Sequence, residues 1–88
     1  MKIILFLIIS SISWSEASIA QSSLLDGVKQ NPKEAKSLCN EFRVLNRSGE
    51  SASSKDSIMS LSKRKNLTEV DAEILSIYVI GLYCPEVY

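Results

Sequence analysis

Three groups of residues have types and spacings that chemistry can use: two cysteines, two carboxylates one helical turn apart, and a run of three cations. The cysteines are Cys39 and Cys84, and the chain has no histidine. Imidazole acid–base catalysis and His-ligated metal sites are therefore excluded. A redox pair is normally spaced C-x-x-C, and two thiolates without histidine make a poor zinc site. Cys39 and Cys84 lie 45 positions apart, so the expected role is a structural disulfide, with an intermolecular bond as its rival. Glu69 and Glu73 fall on one face of a helix. Paired carboxylates for glycoside chemistry need burial in a cleft, whereas acids opening a helix are favoured by its dipole. The many serines have no imidazole to activate them, and no G-x-S-x-G occurs. No catalytic residue and no cofactor is expected.

Lys63, Arg64 and Lys65 form the cationic run. From Arg43 to Lys65 there are six basic and two acidic residues, and acids follow at Glu69, Asp71, Glu73 and Glu86. A docking patch for anionic lipid, glycan or an acidic partner is one reading. The plainer one is a helix C-terminus complementing its own dipole. Asn46-Arg47-Ser48 and Asn66-Leu67-Thr68 fit the glycosylation sequon, and both are read as chance matches.

The elements that must position these residues occupy a short chain of 88 residues, 45% hydrophobic and 23% charged, with ten basic and ten acidic residues. Zero net charge argues against a nucleic-acid partner. At the start, Lys2 precedes an apolar run from Ile3 to Ile9, and Ser18 and Ala20 stand at −3 and −1 of a cut before Gln21. This is the layout of a signal peptide over residues 1–20, with a second acceptable cut after Ala17. The run is too short to span a bilayer, which takes about 20 apolar residues, so no stable membrane span is expected after cleavage. The remaining chain is small enough for one core to be only marginally adequate, which gives a disulfide its value.

Residues 21–30 are polar, and Gly27 interrupts the pattern, so they read as a flexible arm with at most one helical turn. Residues 31–88 read as a helical domain. Asn31, Pro32 and Glu34 make a helix start, after which Ala35, Leu38, Cys39, Phe42 and Leu45 form an apolar stripe. Gly49 ends that helix. A short middle helix starts near Ser53 and stops near Asn66, with Ile58, Met59 and Leu61 as its larger apolar residues. Thr68 to Asp71 opens the third helix, whose inward face is expected to be Val70, Ile74, Ile77, Gly81 and Cys84, widened by Leu75, Tyr78 and Leu82. Gly81 would admit a neighbouring helix, and Pro85 ends the element. Tyr78, Tyr83, Tyr88 and Phe42 are expected in the core, or lining a small apolar groove.

Ala35, Cys39, Gly49, Ser51, Leu67, Thr68, Asp71, Ala72, Tyr83, Cys84 and Pro85 together form a pattern: a cysteine in a first helix, a Gly-Ser loop, an L-T-x-x-D-A helix start and a terminal Y-C-P. The pattern resembles small secreted two-cysteine helical proteins, best known from actinobacteria and catalogued as a domain of unknown function. Short exported cyanobacterial proteins ending in L-C-P or Y-C-P are similar in design. The serine-rich stretch between Gly49 and Leu67 is longer than that family's spacing. The resemblance implies an exported helical domain with its cysteines bridged, and it implies no activity.

The expectation is an all-α fold, a three-helix domain stapled by one disulfide, secreted or periplasmic. It would act as a non-enzymatic binding module on an extracytoplasmic partner. The rival is a carrier of a small apolar ligand such as a lipid, and a membrane-active peptide is disfavoured by the zero net charge.

Overall fold

The computed structural model describes the backbone of residues 15–88 and the side chains from residue 23 onward. The cationic start and the apolar run of the expected signal sequence lie outside the described residues. The described chain is all-helical: α1 (Ser15–Gln30), α2 (Pro32–Arg47), α3 (Lys55–Lys65) and α4 (Glu69–Tyr83). It has four helices where three were expected. Residues 21–30 are the C-terminal part of α1 rather than a flexible arm. A glycine inside a helix costs about 1 kcal/mol but does not end it when the helix has a surface to pack on. Val28 is buried and Leu24 and Leu25 are half-buried, so packing carries α1 through Gly27.

The helix ends follow the residues that favour them. Asn31 caps α2 by accepting the Glu34 N–H, and its side-chain amide donates to the Glu34 carboxylate, with Pro32 in the first turn. At the other end Gly49 takes φ +81°, the left-handed region. Its N–H donates to the Asn46 carbonyl and the Glu50 N–H to the Leu45 carbonyl, a Schellman motif that satisfies two otherwise orphaned acceptors. Ser54 caps α3 by accepting the Ser57 N–H, and Asn66 closes that helix in the left-handed conformation at φ 54°. Thr68 caps α4 by accepting the Asp71 N–H.

Among the described residues α4 is the one helix that packs against all three others, while α2 and α3 make no close backbone approach to each other. The core gathers Leu38, Cys39 and Phe42 from α2, Ile58 and Leu61 from α3, and Ala72, Ser76 and Val79 from α4, with Val28, Ala52, Cys84 and Val87 around them. The inward face of α4 is only in part the expected one: Cys84 is buried and Leu75 and Tyr78 pack on the core, but the other expected positions do not lead it. Ala72 and Val79 are fully buried, whereas Val70 is 67% and Ile77 57% exposed. Gly81 and Leu82 also face water. The cause is space: three helices and a disulfide converge on one side of α4, and small side chains there let the axes come close. Ser76, the one polar residue of that face, donates from Oγ to the Glu73 carbonyl at 2.7 Å and so is satisfied within its own helix.

Candidate functional site

Cys39, in the middle of α2, and Cys84, at the C-cap of α4, are bridged, their Cα atoms 6.0 Å apart. Both sulfurs sit 3.9 Å from the Val79 carbonyl oxygen. The bridge fastens the last turn of α4 to α2 and brings the residues after Cys84 alongside the end of α2.

Those residues are held by Asn46. Its side-chain amide donates to the Tyr88 carbonyl at 2.7 Å and to the Glu50 carbonyl at 3.0 Å, while its Oδ1 accepts the Tyr88 N–H at 2.9 Å. The Tyr88 hydroxyl donates to the Asn46 carbonyl, and the Ala52 N–H donates to the Tyr88 carbonyl. Arg43 pairs with Glu86 at 2.8 Å on the surface. The Glu86 carboxyl lies below its ordinary range because its own backbone N–H, and after it the Arg43 guanidinium, favour the charged form. Sequence reasoning missed this clasp, since an asparagine before Arg-Ser-Gly reads as a helix end. Because the Asn46 amide is already committed to two carbonyls, the first sequon has no free acceptor nitrogen in the folded chain.

The cationic run is divided between two roles. Arg64 donates to Glu41 at 2.7 Å, and Lys65 pairs with Glu34, so both tie the last turn of α3 to α2. Lys63 is exposed and makes no ion pair among the described residues. Exposed pairs of this kind contribute about 0–1 kcal/mol each. Their effect here is to span two helices whose backbones stay apart.

Glu69 and Glu73 are both exposed, on the wall of a shallow depression with Lys55, Ile58 and Val70. They have neither the burial nor the cleft that acid–base chemistry requires. Among the described residues no group of three or more histidines, cysteines or carboxylates could hold a metal ion. No helix among them is long and apolar enough to cross a membrane. Of the aromatic residues expected in the core, Phe42 is buried, Tyr78 and Tyr83 are half-buried against the same core, and Tyr88 is exposed at the end of α2.

Two apolar surfaces to which α4 contributes can hold a partner. One is a groove of about 510 Å³ between α1, α2 and α4, lined by the apolar Leu24, Val28, Leu38, Leu75 and Val79 and by the polar Asn31 and Glu34 among others. The other is the outward side of α4, where Val70, Ile74, Ile77, Gly81 and Leu82 meet solvent or are only half-covered. Ala72, Ser76 and Val79 face in with Leu75, Tyr78, Ile80 and Tyr83 packed beside them, while Val70, Ile77 and Leu82 are half or more exposed.

Comparison with known protein families matches residues 25–84 to the Domain of unknown function (DUF8664), and the chain belongs to that family. No curated protein and no solved structure matches it.

Proposed function

We propose that this member of the DUF8664 family is an exported, non-catalytic binding module that engages an extracytoplasmic partner through the outward face of α4. The observation that carries the reading is the outward stripe of α4, where Val70, Ile77 and Leu82 are half or more exposed while the rest of its apolar arc packs on the core. Full burial of such a side chain is worth about 1.5–3 kcal/mol, and a contact on that face would recover the share that their exposure forgoes. Export is supported by the Lys2 to Ala20 layout and by a cysteine bridge, which persists in an oxidising compartment. A cut after Ala20 falls inside α1 and leaves residues 21–30 of that helix, including Leu24, Leu25 and Val28. Kinship with the actinobacterial and cyanobacterial exported proteins belongs to the same reading, supported by L-T-x-x-D-A and the terminal Y-C-P.

The experiment places a photo-crosslinking phenylalanine at position 77, and separately at the exposed Lys36 of α2, in the protein expressed by its own host. Adducts from position 77 and none from position 36 are expected. Equal yields, or no adduct at position 77, would reject α4 as the binding face.

A second reading, a carrier of a small apolar ligand, is favoured by the α1–α2–α4 groove, whose volume lies within the usual range of about 300–1,000 Å³ for ligand pockets. It predicts saturable uptake of a fluorescent fatty acid that Leu75→Arg abolishes. Lys63, with Arg64 and Lys65 beside it, stays a candidate docking patch for an anionic partner, now resting mainly on the unpaired Lys63.

A further inference from the structure

We infer that the outward seam of α4 binds a second copy of this chain, with the two α4 helices packed antiparallel about a two-fold axis. The inference rests on the reading of that face as a binding surface and names its occupant. Val70, Ile74, Ile77 and Gly81 follow one another at intervals of four, three and four residues, the spacing of a coiled-coil seam. Val70, Ile77 and Gly81 are exposed and Ile74 is half-buried. When such a stripe is laid against itself in the antiparallel sense and centred between Ile74 and Ile77, it matches itself. Ile74 meets Ile77 of the second copy in two central layers, and Val70 meets Gly81 of the second copy in the two outer ones. Large faces small at both ends, which is the self-complementarity a two-fold contact requires.

Gly81 gains its purpose in this arrangement. Glycine is an unfavourable residue inside a helix. Among the described residues nothing comes within 4 Å of the place a Cβ would occupy, so close packing between them does not explain it. A notch opposite Val70 of the second copy does.

Charge selects the orientation. Glu69, Asp71 and Glu73 crowd the first half of α4, and residues 74–83 carry no charge at all. Parallel helices would set acid against acid and align the two dipoles. Antiparallel helices set each acidic half against the uncharged half of the other copy. A lipid surface fits less well, because α4 has no lysine or arginine and its acids flank the seam, whereas interfacial helices are typically rich in cations.

Sedimentation equilibrium on the oxidised, exported protein, from about 1 μM to about 1 mM, tests the pairing. Wild type is expected to pass from monomer to dimer across that range. Ile77→Glu and Gly81→Leu should each weaken the dimer about tenfold or more, with far-ultraviolet circular dichroism unchanged. Gly81→Leu improves helix propensity, so lost association in that variant cannot be lost folding. A wild type that stays monomeric throughout, or a dimer that both variants leave unaltered, overturns the inference. If wild type stays monomeric while position 77 crosslinks to a different protein, self-association fails and the binding reading survives. If it neither dimerises nor crosslinks, both fail.

Discussion

Asn46 holds the backbone of Tyr88, 42 positions further along the chain, through both ends of its side-chain amide. Donating and accepting at one residue makes this contact sensitive to the side-chain type. Aspartate lacks the donors, and alanine leaves the Tyr88 N–H and the Glu50 carbonyl to find water, the Tyr88 carbonyl keeping the Ala52 N–H. Asn46→Ala is expected to cost about 1–2 kcal/mol in denaturant unfolding, while Asn40→Ala, at an exposed position of the same helix, changes little. Cys39 and Cys84 were legible from their types, since the expected export would leave two cysteines few roles. Their bridge closes a loop for which chain entropy gives about 4 kcal/mol, a large share of what a small domain has. Cys39→Ala should therefore lower the melting temperature sharply, and equal melting of variant and wild type would remove the staple from the account. Asn46 was not legible, because its partners are remote and its neighbours already explain it as a helix end. The cations were half legible: the dipole argument located Lys63, Arg64 and Lys65 at the end of α3, but Glu34 and Glu41 on α2 could be matched to them only in three dimensions.

At the scale of elements, the starts and stops were readable because each is a local chemical event. Asn31 with Pro32, Gly49, Asn66 and Thr68 all sit where their side chains or backbone angles are needed. Two matters of tertiary choice were not readable. The first is α1, where the penalty at Gly27 was visible but the surface that compensates for it was not. The second is the orientation of α4. A helix apolar on nearly every side carries no periodic signal of which side is inward, and counting large residues selected Val70, Ile74 and Ile77. The structure selects Ala72, Ser76 and Val79 because close approach, not bulk, limits that side. The two orientations differ in a measurable way. Ala72→Ile should destabilise by about 1–3 kcal/mol through overpacking. Ile77→Ser, measured at a concentration where the chain is monomeric, should stay within about 0.5 kcal/mol of wild type. The opposite ranking would restore the face expected from the sequence.

For the molecule as a whole, α4 divides the labour between its two sides. One side gathers α1, α2, α3 and the bridge into a core, and the other is left apolar toward solvent. Such a chain has few internal means of stability beyond its core and its staple, so the compartment it occupies matters to whether it folds. The expected route is export with removal of residues 1–20, oxidation of Cys39 and Cys84, and use of the exposed α4 face outside the cytoplasm. Class and design were readable from composition, cysteine usage and capping residues. The proposed binding face was not, because it depends on which side of α4 the other helices claim.

Export into an oxidising compartment and closure of the bridge are what this account stands on, and the intact mass of the protein recovered from its own host, before and after reduction with alkylation, tests both together. The predicted species runs from Gln21 to Tyr88 and is lighter by the two hydrogens of the bond before reduction. A full-length chain carrying two free thiols would contradict the account, placing the protein where neither the bridge nor an extracytoplasmic partner for α4 is available.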